Sequence, residues 1–441
     1  MSVFARIAKP FRAGQPVPAE HRANFRYLYG DIAWFGIISG TTLSFISIYA
    51  ARLGATALQI GFLNAGPALV GLLFTLPVGR WLQHRPVGGA VFWSSVWARI
   101  GYLLWILLPV LLTAQQQIWS LVIMVLLMTI PGTVLAVGFN ALYASTVPPE
   151  WRGHVVGIRN AMFSVVLVVT SLIAGYVLNH FSLDVGYQII FAIGFLGAAM
   201  SSVQLWHLRH ISGETVPGPP QIRGIIGDFA RPGDVRFMGM TLRTSVALRA
   251  FARGTNLLRL EVLRGHYGIV TATLFFFHFA LFLTIPIFPL YWVNQLHLSD
   301  GAISVGTALF HFAVFIGSLQ ISRLASGWGN HKLTAVGALL LSMHPLLTAL
   351  TTNLPFFLFT SLVGGAAWSL VGGGVGNYLL EKVPTTDRPA YLAWYNLALN
   401  AAVLCGSLGG SVLAKEVDLA TALLIGALLR ALAAYAIWKT G

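Results

Sequence analysis

Residues 241–264 read TLRTSVALRAFARGTNLLRLEVLR. They belong to a polar interval, His210 to His266, that carries Arg223, Arg231, Arg236, Arg243, Arg249, Arg253, Arg259 and Arg264, with Arg209 at its upstream edge. On either side lies almost nothing but apolar sequence, in two stretches of similar length. A basic bridge between two hydrophobic halves is how one polypeptide builds a two-bundle membrane protein. Within the bridge Leu242, Val246, Leu248, Phe251, Leu257, Leu258 and Val262 alternate with arginines. That pattern suggests an amphipathic helix lying on the membrane surface against anionic lipid. A basic linker without regular structure, held near the same lipid, is the alternative.

Composition supports the membrane reading. Charged residues make up 9% of the 441 and hydrophobic ones 56%, against about 25% charged in a soluble domain. So few charges cannot clothe a soluble surface of this size. The net charge of +14 does not point to nucleic acid, because the basic residues sit between hydrophobic runs and form no single basic face. Cys405 is the only cysteine, which excludes a disulfide framework and a thiolate metal site. The first 25 residues, with Arg6, Lys9, Pro10, Arg12, Pro16 and Pro18, have a basic start but no apolar core with a cleavage site. A cytoplasmic tail is expected there, not a signal peptide.

A transmembrane helix needs about 20 apolar residues. The chain supplies runs at 27–51, 58–81, 89–112, 117–146, 154–179 and 187–208, then 268–294, 301–324, 332–352, 355–381, 389–413 and 418–438. The expected fold is an all-α polytopic protein of twelve spans in two six-helix bundles. Its expected parts are a tail 1–26, a first bundle 27–208, a basic linker 209–267 and a second bundle 268–438. Thr56 and Ser299 stand where two spans begin, each a fitting N-cap. Only Arg52 and Lys415 of the Lys and Arg residues fall in connectors on one side, and Arg99 and Arg430 lie within spans. The rest lie on the other side with both tails and the bridge, which cytoplasmic loops favour. A monomer in the cell (inner) membrane, with both termini cytoplasmic, is therefore expected.

The halves echo one another. A shift of 243 residues takes Leu53 to Leu296, Thr56 to Ser299, Ile60 to Ile303 and Arg80 to Arg323. A shift of 236 takes Val147-Pro148 to Val383-Pro384, Arg152 to Arg388 and Asn160 to Asn396. Two parallel six-helix repeats about an axis normal to the membrane are the plan of one large transporter class.

The connector after the second span, Gly79-Arg80-Trp81-Leu82-Gln83-His84-Arg85-Pro86, with its echo Ser322-Arg323-Leu324-Ala325-Ser326-Gly327-Trp328-Gly329, resembles the signature loop of the major facilitator superfamily. Val147-Pro148-Pro149-Glu150-Trp151-Arg152-Gly153 is similar to that family's Pro…Arg-Gly pattern. Gln83 and Ser326 stand where the family has an acid, and the fifth span has Ala174-Gly175 in place of the Gly-Pro element of proton-coupled drug exporters. The resemblance implies a secondary transporter that rocks two bundles about a midplane cavity. It also implies inner-face latches at Asp31, Gly79, Arg80, Arg85, Arg152, Gly153, Arg323 and Arg388, and a cavity lined by the first, fourth, seventh and tenth spans.

Glycine and proline interrupt those same four spans: Gly36 and Gly40, Pro131-Gly132 and Gly138, Pro286 and Pro289, and Gly364-Gly365 with Gly372 to Gly376. Broken helices mark transport sites, but small residues also let helices pack closely. Both readings stay open. Polar side chains inside lipid are expensive, so Ser39, Thr42, Asn140, His278, Trp368, Asn377 and Asn400 are the cavity candidates. Asn160, Asn396 and His311 are cavity residues or ties between helices. Asp31 is either the partner of Arg152 or Arg159 or a proton-coupling group. No deep carboxylate accompanies it, so coupling by histidine, uniport or an apolar cargo are the options. No cofactor, metal set or catalytic constellation is expected. The partners expected are a small-molecule substrate and membrane lipid. The rival reading is a non-transporting sensor or assembly factor whose basic loop recruits a partner.

Overall fold

The computed structural model describes residues 19–82, 85–208, 260–384 and 388–440. Most of the basic bridge and the N-terminal tail lie outside them. Twelve helices among the described residues are long and apolar enough to cross a membrane. In hydrocarbon every backbone N–H and C=O must be satisfied within the segment, which leaves the helix as the one open-ended solution for these runs.

We number the spans α1 to α12. The first, α1, runs Ala19–Ile38, continues through a π-turn Ser39–Leu43 and ends with Ser44–Arg52. The rest of the first half is α2 (Ala57–Leu82), α3 (Val87–Leu111), α4 (Ala114–Thr146), α5 (Pro149–His180) and α6 (Leu183–Trp206). In the second half α7 is built of His266–Thr284, Ile287–Leu290 and a π-turn Tyr291–Gln295. It is followed by α8 (Asp300–Ser318), α9 (Ile321–Ala349), α10 (Leu354–Glu381), α11 (Arg388–Glu416) and α12 (Leu419–Lys439).

The two ends of the bundle are finished differently. At the far end, away from Ala19 and Lys439, short connectors start helices with side-chain caps. Gln59 N–H donates to Thr56 Oγ1 at 3.3 Å, and Thr56 N–H donates back to Gln59 Oε1 at 2.9 Å. Ser299, Asn353 and Asp418 accept from Ala302, Phe356 and Thr421 N–H at 3.2, 3.0 and 3.0 Å. At the near end proline does the work instead: Pro86 precedes α3, and Pro148 precedes α5 with Pro149 in its first turn. The expected connector 325–331 differs. Helix already runs from Ile321 and breaks at Gly329, whose φ of 78° only glycine takes readily. The echo of the signature loop is therefore a short helical piece ahead of the ninth span proper.

Each half is an arc. Its helices pack in the order α2–α4–α3–α6–α1–α5, and the second half repeats this as α8–α10–α9–α12–α7–α11. The arcs close on one another through two seams, α5·α8 and α2·α11. Both seams are antiparallel and lined by small residues. A Cβ on Gly175 would strike Ser304, and one on Gly61 would strike Ser411; Gly71 faces the Asn400 amide.

Candidate functional site

Within each arc a glycine-rich sandwich holds the helix that is broken. In α1, Gly36 lies on Val166 and Gly40 on the Leu167 carbonyl of α5, while Gly194 and Gly197 of α6 press on Thr42, Trp34 and Ile37. In α7, Gly406 and Gly410 of α11 meet the carbonyls of Phe279 and Leu283, and Gly426 of α12 meets Thr284. Pro286 has no N–H for the Phe282 carbonyl, which takes Ile285 N–H instead at 3.3 Å, and the helix gives way there. The other two interrupted spans stay whole: α4 runs through Pro131-Gly132 and α10 through its glycine run. Gly364, Gly373 and Gly374 seat α10 on His344, Ile321 and Thr334 of α9, and Gly365 seats it on Phe310 of α8. Those glycines are packing residues.

The halves are bolted together at the far end. Arg52, the last residue of α1, donates through Nε to Asp300 Oδ1 at 3.0 Å and also to the Leu298 carbonyl. Tyr187 OH of α6 donates to Asp300 Oδ2 at 3.3 Å. Gly301 N–H donates to Asn179 Oδ1 at 3.0 Å, and Ser304 OH to the Ser171 carbonyl at 2.7 Å. Beneath them an apolar cluster mixes Phe45, Ile48 and Ile60 of the first half with Leu290, Val293 and Ile303 of the second. The near-end cluster around Phe25, Leu142, Tyr143 and Trp151 is drawn from the first half alone.

The expected near-end latches are turned inward or sideways. Arg152 folds back on its own connector, donating to the Val147 carbonyl at 3.1 Å and the Ala144 carbonyl at 2.8 Å. Gly153 lies behind it in the first turns of α5. Arg323 is exposed on the helical piece before Gly329. Arg85 stacks over the Trp81 ring at 5.3 Å, on the flank of the first half. Gly79 falls in α2, but the side chain of Arg80, like that of Arg388, lies outside the described residues. Asp31 pairs with Arg159 at 3.1 Å and accepts from Ser201 OH at 2.5 Å, while Arg159 also donates to the Leu28 carbonyl and covers the Phe139 ring. This acid ties α1, α5 and α6 into one unit.

The cavity candidates divide. Thr42 is 0% exposed and donates to the Ile190 carbonyl of α6 at 3.4 Å, so it faces its own bundle, not the space between the halves. It lies in the π-turn Ser39–Leu43. Ser39 donates to the Phe35 carbonyl at 2.8 Å. The asparagines share one device, in which the amide nitrogen donates to a carbonyl one turn back. Asn140 donates to Ala136 at 2.9 Å, Asn377 to Gly373 at 3.2 Å, Asn396 to Leu392 at 2.9 Å and Asn400 to Asn396 at 2.9 Å. Among the described residues the buried Oδ1 atoms of Asn396 and Asn400 have no hydrogen-bond partner, and neither does the buried Thr271 hydroxyl of α7. His278 is bound through Nδ1 to the Leu274 carbonyl at 2.7 Å, with its ring edge-on to Tyr395 of α11 at 6.1 Å. A carbonyl only accepts, so the Nδ1 of His278 carries the proton. Trp368 packs on the core of the second half, His311 lies edge-on to Phe310, and Asn160 is half-buried on α5.

A sequence model described as the Major Facilitator Superfamily matches residues 32–269 and 270–440. The chain belongs to this superfamily. Among curated proteins it is similar to Multidrug resistance protein 2 of Bacillus subtilis (strain 168), 23% identical over 146 residues, and to Multidrug resistance protein 1 of the same organism, 25% identical over 147. Each match takes in 33% of this chain, and 36% and 38% of those relatives, so it spans little more than a third of their length. Solved superfamily members share its fold. A D-xylose-proton symporter superposes with a TM-score of 0.66 at 18% identity, covering 95% of this chain and 97% of that one. The nucleoside transporter NupG superposes at 0.63 with 12% identity, covering 96% and 99%. The partially occluded inward-open xylose transporter XylE from E. coli superposes at 0.64 with 14%, covering 96% and 98%.

The sequence singled out Arg52 only as one of two basic residues on its side. Its partner Asp300 went unnoticed, although both break the internal repeat: the residues matched to Arg52 and Asp300 are Gln295 and Ala57. A charge that interrupts pseudo-symmetry is the signal that finds this bolt.

Proposed function

We propose that the protein is a secondary transporter that carries a small solute by rocking its two arcs, and that Arg52–Asp300 is the gate holding the far end shut. The observation that carries this is the asymmetry of the closure: the hydrogen bonds and ion pair described between the halves gather at the far end. The Lys and Arg distribution makes the near end cytoplasmic, so the state described faces inward, in an inner-membrane protein with both termini inside. Its relatives and structural neighbours include multidrug resistance proteins, a nucleoside transporter and a D-xylose-proton symporter. The side chains here favour a neutral cargo rich in hydrogen-bond donors. Each asparagine uses one amide N–H on its own helix, and the acceptors of Asn396 and Asn400 remain. A cation would find no carboxylate, since Asp31 is consumed by Arg159 and Ser201.

The test is flux in proteoliposomes across a panel of neutral polyols, nucleosides and lipophilic cations. A C405S background carrying R52C and D300C gives a reversible lock. Oxidation should abolish uptake of the accepted solute and reduction restore it. Uptake that continues with the two positions cross-linked removes the gate from the mechanism. Absence of flux for the whole panel, in folded protein, argues against transport itself.

A further inference from the structure

One cavity lies away from the seams between the arcs. It is a groove of about 940 Å³ on the outer flank of the first half, bounded by the end of α2, the Arg85-Pro86 connector, and one face each of α3 and α4. That volume sits at the top of the range for pockets that bury an organic ligand. Its shape follows from residue size. Gly101 of α3 rests on Met128 of α4 and draws the two helices together, whereas a Cβ on Gly89, three turns nearer the connector, would touch nothing. On its inner side α3 stays on α4 near the connector too, with Gly138 against Val91, so only the outer edge beside Gly89 is open. Trp93 and Trp97, one turn apart on α3, stand along the opening, 58% and 61% exposed. Trp81 and Arg85 close its mouth.

We propose that this groove binds a membrane phospholipid with an anionic headgroup. It faces neither seam: α2 meets α11 through Gly61 and Gly71, and α3 meets α6 through Arg99, whose Nη1 donates to Ser202 Oγ at 2.7 Å and to the Ala198 carbonyl at 3.2 Å. Its occupant therefore comes from the bilayer, and the mouth decides which lipid. Among the described residues of the lining Arg85 is the one that carries a charge, and no acid accompanies it. Its planar fork, held over Trp81, suits a phosphate. A zwitterionic choline head would bring a second cation to that spot, and a glycerol head would not. Depth fits as well. Trp93 lies seven residues past Pro86, roughly 10 Å along the helix. That is just beneath a headgroup layer about 5–7 Å thick on each side, at the level of the ester carbonyls. An indole N–H in that layer needs such an acceptor.

The experiment uses the full chain in lipid nanodiscs, with phosphatidylglycerol and phosphatidylcholine as the probes. Lipids brominated on their tails quench tryptophan on contact. At equal mole fraction, brominated phosphatidylglycerol should quench the unaltered protein more strongly, and the excess should fall in W93F. Native mass spectrometry should show phosphatidylglycerol retained over phosphatidylcholine, with Arg85→Ala cutting that preference roughly fivefold, the factor expected for one basic side chain at an anionic surface. Lys439→Ala is the control. It removes a cation that also covers an exposed ring, Tyr435 at 5.7 Å, but lines no groove, and it should leave the preference intact. Equal quenching and equal retention of the two lipids would make the groove a slot for any tail and overturn the proposal. So would a preference that survives Arg85→Ala, or one that Lys439→Ala removes as effectively.

Discussion

Arg430 shows how far a single side chain can span. It is 1% exposed in α12, and no carboxylate faces its guanidinium among the partners described. Its donors go to carbonyls instead: Leu281 at 2.9 Å and Ala280 at 3.4 Å on α7, and Leu341 at 3.2 Å on α9, with the Thr284 hydroxyl beside them. Leu281 and Thr284 flank the break before Pro286, so Arg430 supplies hydrogen bonds that the interrupted helix cannot make for itself. Arg430→Met should remove these charged donors, costing about 3 kcal/mol and lowering Tm by several degrees in detergent. Arg430→Lys should not rescue it, because an ammonium is a point donor that cannot reach α7 and α9 together. A Lys variant with the parental Tm would show that charge alone matters. Arg99 plays a similar part between α3 and α6, and the sequence marked both only as oddities inside spans. Their partners are mostly backbone carbonyls of distant helices, which carry no residue-type signal, with one hydroxyl each, Ser202 and Thr284.

At the scale of elements, the glycines separate into two kinds. Gly40 lies where a Cβ would come within 2.6 Å of the Leu167 carbonyl, and backbone does not move aside. Gly40→Ala should therefore destabilise by about 1–3 kcal/mol, the usual range for overpacking. Gly157, exposed within α5 with nothing inside 4 Å, should do the opposite. Gly157→Ala should stabilise by about 0.5–1 kcal/mol through helix propensity. Thermal melts of the two variants check the pair, and equal effects would refute the distinction. The helices themselves were legible because hydrocarbon permits little else over a run of apolar residues. The caps at Thr56 and Ser299 were legible because an N-cap is a local device. Which interrupted helix breaks was not. Lipid rewards apolar residues on every outward face, so no periodic stripe tells which glycine-bearing helix will break. Proline did not settle it either: the helix gives way at Pro286 but runs on through Pro131. The run from Ser322 to Gly329 misled for a related reason: its polar residues resemble a loop, yet helix continues until Gly329.

For the whole molecule, orientation can be read from the four lysines among the described residues. Of these Lys415 alone stands at the far end, exposed in the last turn of α11, while Lys332, Lys382 and Lys439 are at the near end. A membrane-impermeant amine reagent applied to intact cells should label Lys415 and spare those three, with peptide mapping as the readout. Labelling of Lys439 without Lys415 would invert the topology proposed here. The repeat that made two halves visible in the sequence also concealed what distinguishes them, because a transport cycle needs one end to differ from the other.

The seams between the arcs have a consequence for how the protein responds to its surroundings. Gly61 with Ser411 and Gly175 with Ser304 are contacts of neutral, short side chains, whereas the clasp beside them is an ion pair whose Arg52 side chain is 22% exposed. Dissolved ions weaken attraction between charges that water can reach and leave neutral contacts alone. If the arcs rock as proposed, ionic strength should therefore speed release of the clasp while the neutral contacts beside it hold as before.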